Sequence, residues 1–216
     1  MKLKTIASIF KKHKHLRILT MPNGAQWITN GYALYSMAGM PDLTPPLILK
    51  IFDIPEDKQP EWHCTVEEMS ENIIGLCTDN YEIPAISLTQ MKVSIEWCGS
   101  TYLLLSGGGD IFAVDEKFVK PLYDDIEYLR FYKRDMPDGS GIGIICYNAL
   151  ELIAVIMPFT PSDDFSDELK SAGLYFDSLR YRALAESLRK GQHKPNVDPE
   201  TGEVLDEDSD YTQETL

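Results

Sequence analysis

The sequence predicts an α+β protein in which residues 1–160 form one mainly β domain of two similar halves, each a helix followed by antiparallel strands. Three observations support this prediction. Similar landmarks recur about 115 positions apart, and such self-similarity indicates a structural duplication. Each set contains an Asn-Gly or Asp-Gly turn, which is typical of a β-hairpin. After Pro161 the strand-like pattern gives way to a helical one.

The two copies share their landmarks in the same order. The first copy contains the apolar helix positions Ile6, Ile9 and Phe10, the run Leu16–Leu19, the turn Met21–Gly24, the pair Ala33-Leu34 and the pair Met40-Pro41. The second copy contains the helix positions Phe118, Val119, Leu122 and Tyr123, the run Leu129–Tyr132, the turn Met136–Gly139, the pair Ala149-Leu150 and the pair Met157-Pro158. Each copy is therefore predicted as helix, strand, turn, strand. The alternative is chance similarity between two ordinary hairpins.

The segment between the copies is predicted to add strands to the sheet. Expected elements are strands at Leu47–Ile54 and Ile83–Leu88, a short helix at Thr65–Leu76, and a hairpin of Met91–Trp97 with Tyr102–Leu105 around Cys98–Ser100. Thr65 and Glu68 have the spacing of a capping box for that helix. Gly107–Gly109 precede a predicted strand at Asp110–Val114. This triple glycine is interpreted as a loop between strands, because a phosphate-binding glycine loop leads into a helix.

The chain after Pro161 is predicted to be an appendage of two parts. Ser162 or Ser166 can cap a helix that runs to about Lys190, so residues 161–191 are assigned to a C-terminal amphipathic helix. Residues 192–216 are rich in Pro, Gly and acidic residues and contain few apolar anchors. That composition predicts an acidic, disordered tail.

The formal net charge of −14 is unevenly distributed along the chain. Residues 1–41 contain no Asp or Glu, whereas residues 161–216 contain 6 basic and 14 acidic residues. The basic side chains of the first segment are Lys2, Lys4, Lys11, Lys12, Lys14 and Arg17. The negative net charge argues against nucleic acid as a partner. Binding to nucleic acid depends, however, on the local distribution of charge, and the basic N-terminal segment keeps nucleic acid among the possible partners.

The sequence predicts a cytoplasmic protein that does not enter a membrane. The apolar stretch near the N-terminus is too short for the core of a signal peptide. No run approaches the ~20 apolar residues of a membrane span. The four cysteines, which are Cys64, Cys77, Cys98 and Cys146, lack paired spacing. We therefore expect reduced thiols and no disulfide framework.

No enzyme, cofactor or metal site is predicted. His63-Cys64 with Cys77 and Cys98 lacks the close ligand spacing of structural zinc sites. A nucleophilic Ser or Cys needs a histidine that orients it. The four histidines are His13, His15, His63 and His193. His13 and His15 belong to the basic N-terminal segment, and His193 lies at the start of the tail. Neither location suggests a pocket that excludes water. Adjacent acids such as Asp124-Asp125 are typical of a surface that faces solvent.

The basic stretch at the N-terminus is the candidate binding feature. At about 100° per residue, Lys4, Lys11 and Lys14 fall on one side of the first helix, with Lys12 on its flank. The apolar landmarks of the same helix fall on another side. An array of ammonium groups suits phosphates, because each neutralised phosphate releases condensed counterions whatever the base sequence. The alternative is a helix face that is merely solvated.

Three segments resemble elements of the sliding DNA clamps, the processivity factors of replicative polymerases. Gln26–Tyr35 is similar to the strand in which bacterial clamps carry Thr-Asp-Gly-His-Arg-Leu. Phe112–Phe118 resembles the clamp segment in which a strand enters a helix. Ile153–Pro158 resembles the Val-Met-Pro terminus of bacterial clamps. The resemblance covers roughly residues 1–160. It implies a single DNA-clamp-like domain with pseudo-twofold symmetry, whose two helices lie side by side under curved sheets and face DNA.

The chain also departs from the clamp pattern. Asn30 stands where the family has an acidic residue, and Tyr32-Ala33 stand where it has His-Arg. A ring of the clamp family needs about six such domains, and this chain has room for one, so the resemblance implies that it would assemble as a hexamer or act without encircling DNA. The predicted C-terminal helix and acidic tail have no counterpart in the family.

The expected function is that of a non-enzymatic clamp-like module that binds the backbone of double-stranded DNA without sequence preference, in DNA replication or mobile-element maintenance. The expected contacts are Lys4, Lys11, Lys12, Lys14 and Arg17, assisted by Lys117 and Lys120. The last two lie on the helix of the second copy, where acidic neighbours dilute their charge. The alternative is a protein–protein interaction module of the same fold, which uses the C-terminal helix or an exposed strand edge.

Overall fold

The computed structural model of the chain describes residues 2–78 and 85–159, apart from the side chains of 124–127. The helix predicted for 161–191 and the tail predicted for 192–216 lie outside the described residues. The helices are α1 (Leu3–His13), α2 (Pro45–Ile51), α3 (Glu71–Cys77) and α4 (Glu116–Val119), with 3-10 helices at Glu56–Glu61 and Lys120–Tyr128. The strands are β1 (His15–Thr20), β2 (Gln26–Thr29), β3 (Ala33–Ser36), β4 (His63–Glu68), β5 (Ile86–Trp97), β6 (Ser100–Gly107), β7 (Asp110–Asp115), β8 (Leu129–Asp135), β9 (Ile142–Asn148) and β10 (Glu151–Ile156).

The ten strands form one sheet in the order β4-β1-β2-β3-β10-β9-β8-β5-β6-β7. All neighbours pair antiparallel except β1 and β4, which are parallel. Two three-stranded meanders, β1-β2-β3 and β8-β9-β10, meet where β3 pairs with β10, with Leu34 opposite Val155. The mixed α and β content expected for an α+β protein is therefore confirmed.

Both predicted hairpin turns are present. In the first, the Met21 N–H donates to the Ala25 carbonyl at 2.8 Å; in the second, the Met136 N–H donates to the Gly141 carbonyl at 2.8 Å. Gly24 (φ 84°) and Gly139 (φ 70°) adopt the left-handed conformation that glycine tolerates best. The next landmark is not equivalent in the two copies: Ala33-Leu34 belong to β3, whereas Ala149-Leu150 form the turn between β9 and β10.

The strand predicted at Leu47–Ile54 is wrong, because most of this segment belongs to α2. Two prolines, Pro45 and Pro46, open the helix, where the missing N–H would have had no partner in any case. Ile48 and Leu49 are buried. A short apolar run does not by itself distinguish a buried strand from a buried helix.

The helix predicted at Thr65–Leu76 is wrong in its first half. His63–Glu68 is strand β4, which pairs with β1 along its whole length. The Thr65 hydroxyl donates to a Glu67 carboxylate oxygen at 2.6 Å instead of capping a helix. Helix α3 begins at Glu71, after Ser70 in extended conformation. The pairing with β1 connects segments about 50 positions apart, so strand β4 could not be predicted from the local sequence pattern.

The predicted strands at Ile83–Leu88 and Met91–Trp97 belong to one long strand, as far as they are described. Over Ile86–Leu88, β5 pairs with β8, and farther along it pairs with β6. The register to β6 shifts between Gln90 and Ser94. The predicted hairpin around residues 98–100 and the strand after the triple glycine are confirmed.

The central strands are covered on both faces by helices. On one face, α1, α2 and α4 pack on strand residues such as Leu16 and Ile18. On the other face, α3 packs through Leu76 on residues such as Leu19 and Trp27. The alternation of buried side chains along β1 follows the two-residue period of a strand. Helix α1 and the helical segment after β7 therefore lie on the same face of the sheet.

Hydrogen bonds link the first half of the domain to the helical segment after β7. The Lys2 N–H donates to the Pro121 carbonyl at 2.8 Å. The Tyr35 hydroxyl, which is fully buried, donates to the Phe118 carbonyl at 2.9 Å. The predicted second helix is a single α-turn, α4, followed by a 3-10 helix that contains Pro121. Since proline lacks an N–H, it cannot join the hydrogen-bond ladder of a regular α-helix there.

Gly107 lies where β6 passes close to β5. A Cβ atom there would lie 2.3 Å from the Ser87 carbonyl oxygen and 2.7 Å from Leu88 Cδ2. We expect Gly107→Ala to lower the free energy of unfolding by about 1–3 kcal/mol in urea denaturation, the usual effect of overpacking. Gly141→Ala is the control, because its Cβ would lie 3.6 Å from Met136 Sδ, an ordinary contact. An equal loss in both variants would contradict this explanation.

Candidate nucleic-acid interface

Helix α1 presents three exposed lysines, Lys4, Lys11 and Lys12, which we call the lysine stripe. The opposite side of the helix is buried, with Ile6 and Phe10 completely inaccessible. This arrangement confirms the predicted amphipathic helix. Within the described part of the chain, no acidic side chain forms an ion pair with the lysine stripe. Its three charges are therefore available to an anionic ligand.

Lys14 differs from the lysine stripe in its surroundings. It ends α1 in the left-handed conformation (φ 50°), and its ammonium pairs with the carboxylate of Glu61. The hydrogen bond and the charge of Lys14 lower the pKa of Glu61. Both side chains are about half exposed, and exposed pairs of this kind contribute little stability. The pair nevertheless offsets part of the positive charge that Lys14 would offer.

Arg17 does not lie on the surface of α1. Leu16 and Ile18, its neighbours on β1, face α1, so the alternation along the strand puts Arg17 on the opposite face of the sheet. Its guanidinium lies 3.7 Å from a carboxylate oxygen of Glu67 on the adjacent strand β4. The structure thus separates Arg17 from the lysines with which the sequence grouped it.

Lys117 and Lys120 lie beside α1 but are paired with acids. Asp115 caps α4 by accepting the Lys117 N–H at 3.1 Å, and the Lys117 ammonium also pairs with this carboxylate. Lys120 pairs with Glu116 at 3.1 Å. The predicted dilution of charge on the second helix is therefore visible in its contacts.

A first groove flanks α1 where the helix ends. Lys11, Lys14, Lys58 and Trp62 contribute to its walls, and its volume is about 340 Å³. Lys58 belongs to the 3-10 helix at Glu56–Glu61. The sequence reasoning missed this lysine, because only the folded chain brings it close to Lys11.

A second groove, which we call the aromatic groove, lies on another side of α1 and has a volume of about 400 Å³. Its walls include Lys12, Tyr32, Tyr102, Lys117 and Phe159. Tyr32 is 60% exposed and Phe159 is 37% exposed. The rings come from the turn before β3, from β6 and from the segment after β10. No local pattern in the sequence could have assembled them.

The turn that carries Tyr32 is held by two side chains. The Asn30 carboxamide oxygen accepts the N–H groups of Tyr32 at 3.0 Å and Ala33 at 3.1 Å. The Thr29 hydroxyl donates to the Ala33 carbonyl at 2.8 Å and accepts the Gly31 N–H at 3.0 Å. Asn30 therefore shapes the turn that presents Tyr32.

The His, Cys, Asp and Glu side chains of the described residues form no group of three or more that could hold a metal ion. The rings of His15 and His63 stack across β1 and β4, with centroids 5.1 Å apart. In the same part of the chain, no helix is long and apolar enough to cross a membrane.

The four cysteines are free thiols that differ in exposure. Burial raises the pKa of Cys77 to about 12 and that of Cys64 to about 11, and it also raises the pKa of Cys146. The reactive species of a cysteine is the thiolate, so these three thiols are poor nucleophiles at neutral pH. Cys98 is exposed at the tip of the β5–β6 hairpin.

We therefore expect an aromatic disulfide reagent at pH 8 to modify one thiol quickly in the folded protein, and the buried thiols only after unfolding. Cys98→Ser should abolish the fast phase, whereas Cys64→Ser should leave it unchanged. The release of the coloured thiolate from the reagent measures the reaction rate in both variants. Two fast equivalents in the native protein would show that the burial of Cys64 does not protect it.

Comparison with known proteins gave no match: no family model, no curated protein and no solved structure matches the chain.

Proposed function

We propose that this chain is a non-enzymatic, clamp-like module that binds the backbone of double-stranded DNA through the lysine stripe, in DNA replication or mobile-element maintenance. The observation that carries the proposal is the set of three exposed lysines on α1 that have no acidic partner among the described residues. They belong to the first 41 residues, which contain no Asp or Glu in a chain of net charge −14. A local basic surface on an acidic protein favours contact with phosphates through that surface alone.

The clamp-like part of the proposal is supported by the order of the strands. Each meander of the sheet is preceded in the chain by a helical segment, and both segments pack on the same face. The antiparallel pair β3 and β10 lies between the two meanders, which is the position expected for a pseudo-twofold axis. The strands that flank the two meanders are not related by such an axis, since β4 is parallel to β1 whereas β5 is antiparallel to β8. The symmetry is proposed only for the two meanders and their helices.

The test is the affinity of the full chain for two duplexes of unrelated sequence at 50 and 200 mM salt. Each phosphate contact contributes about 0.9 to the logarithmic salt slope, so three contacts predict a loss of about 40-fold over this range. Both duplexes should show the same loss, because backbone contacts carry no sequence information. Binding that ignores salt, or no binding at 50 mM, would overturn the proposal.

A protein–protein interaction module of the same fold is the second candidate. The outer edge of β4 favours it, because β4 is the last strand of the sheet on that side and Val66 on it is 51% exposed. An edge strand of this kind can pair with a strand of another protein. A stoichiometric protein complex together with no salt-dependent retention on DNA would favour this candidate over the first. The other partner surface named from the sequence, the helix of 161–191, lies outside the described residues.

A further inference from the structure

The aromatic groove combines ring faces with ammonium groups. Tyr32 and Phe159 are exposed at its walls, and Lys12 and Lys117 lie beside them. Asp115 also lines the groove and pairs with the Lys117 ammonium. Among these two lysines, Lys12 is free of acidic partners in the described part of the chain and also belongs to the lysine stripe. The aromatic groove is therefore continuous with the surface assigned to the phosphate backbone.

Backbone hydrogen bonds hold the segments that carry Tyr32 and Phe159, and contacts with other rings hold their side chains. The Tyr32 carbonyl accepts the Met157 N–H at 2.8 Å, and the Phe159 N–H donates to the Ala113 carbonyl at 2.7 Å. The Phe159 ring packs against that of Tyr102, with centroids 5.1 Å apart. The Tyr32 ring stacks on Phe118 with centroids 6.2 Å apart and planes 15° apart. Rings held in this way lose little freedom when a flat ligand stacks on them.

We infer that the aromatic groove binds unstacked bases of a single-stranded nucleic acid, with the neighbouring phosphate on Lys12. Base stacking on protein aromatics tolerates any sequence, because every base has a π-face. In a duplex those faces are covered by the adjacent base pairs, so a duplex cannot use the rings. The volume of about 400 Å³ is at the small end of the ligand sites of proteins and suits one or two bases rather than a double helix.

The observations favour nucleic acid over a peptide as the occupant of the aromatic groove. Lys12 connects the groove to Lys4 and Lys11 on the same helix, which have no acidic partner among the described residues, and this gives a continuous path for a phosphate backbone. The inference rests on the proposed function in one respect, namely that the surface of α1 faces nucleic acid. The inference differs from the proposed function in two respects: the nucleic acid is single-stranded, and the aromatic groove binds it.

The test compares the binding of oligothymidine and of a blunt-ended duplex to the full chain. We expect Tyr32→Ala to weaken oligothymidine binding about 5- to 100-fold and to leave duplex binding unchanged. Tyr32→Phe should keep affinity within about twofold, because the ring and not the hydroxyl stacks. Tyr128→Ala is the matched control: Tyr128 is 56% exposed against 60% for Tyr32, does not line the groove, and should have no effect.

A position-specific readout accompanies the affinities. An oligonucleotide that contains 5-iododeoxyuridine should photocrosslink to Tyr32, Tyr102 or Phe159, the rings of the aromatic groove. If crosslinks map elsewhere, or if Tyr32→Ala binds oligothymidine as tightly as the wild type, the inference is wrong while duplex binding can still stand. If the wild type binds oligothymidine in the groove but not the duplex, the proposed function is wrong and the inference stands. If a peptide of alternating Asp and Phe occupies the groove and oligothymidine does not, the occupant is a protein and the inference is overturned.

Discussion

Replacing the lysine stripe by glutamine, as Lys4/Lys11/Lys12→Gln, is expected to weaken duplex binding about 10²–10³-fold at 0.1 M salt and to reduce the logarithmic salt slope by about 2.7. All three side chains are exposed and lack acidic partners in the described part of the chain, so their removal breaks no ion pair seen there. The fold should survive, since the buried side of α1 is untouched. Fluorescence anisotropy at four salt concentrations measures affinity and slope together.

Lys92 provides the matched control for this prediction. It is exposed on β5 and lines neither of the two grooves that flank α1. Lys92→Gln changes the net charge by the same amount as each single substitution in the lysine stripe. We expect Lys92→Gln to leave the slope unchanged, whereas Lys12→Gln lowers it by about 0.9. Equal effects of the two single variants would mean that binding follows net charge and not the surface of α1.

Arg134→Met is expected to lower the free energy of unfolding by about 2–4 kcal/mol. Arg134 is only 3% exposed and lies on β8 beneath α3. Its Nη1 group donates to the carbonyls of Thr78 at 2.7 Å, Leu76 at 3.0 Å and Gly75 at 3.3 Å. These carbonyls close α3, and a cation at a helix C-terminus also complements the helix dipole. Methionine fills a similar volume but leaves the carbonyls without this donor.

Thermal unfolding followed by circular dichroism measures the effect, with an expected fall in Tm of about 5–12 °C. Arg130→Met is the control on the same strand: Arg130 is exposed, so its loss should cost less than about 1 kcal/mol. Comparable losses in the two variants would contradict the role assigned to Arg134. Because α3 does not belong to the surface of α1, duplex binding should persist in Arg134→Met at temperatures where it is folded.

Elements encoded by local patterns were predictable from the sequence. The apolar side of α1 follows from the spacing of Ile6, Ile9 and Phe10, and all three are buried. The two hairpin turns follow from Asn-Gly and Asp-Gly, since Gly24 and Gly139 have the positive φ that these turns require. Such features depend on neighbours a few residues away.

Elements fixed by distant partners were not predictable. Thr65 became part of a strand because β4 pairs with β1. The segment predicted as a strand at Leu47–Ile54 is mostly helix α2, whose Ile48 and Leu49 are buried in the core that also contains Phe10. Arg17 comes shortly after the lysines of α1 in the sequence. Because its neighbours on β1 face α1, the alternation of side chains along the strand places Arg17 on the other face of the sheet. An alternation of apolar residues around Arg17 was the signal that could have revealed this.

The candidate site was predictable only in part, for the same physical reason. A single helix determines the lysine stripe, so the pattern of α1 was sufficient to find it. The aromatic groove needs three segments that meet only in the folded chain, with Tyr32, Tyr102 and Phe159 separated by up to 127 positions. Arg134 carried no signal in the sequence either, because the carbonyls that accept its hydrogen bonds lie at the C-terminal end of α3, in a distant segment of the chain.

Binding of duplex DNA by the lysine stripe requires that DNA covers the exposed surface of α1. Lysine acetylation, measured by mass spectrometry with and without a blunt duplex, tests this directly on the wild-type chain. We expect bound duplex to protect Lys4, Lys11 and Lys12, while Lys92, which is also exposed, reacts equally in both samples. Equal acetylation of the lysine stripe with and without saturating duplex would contradict this binding.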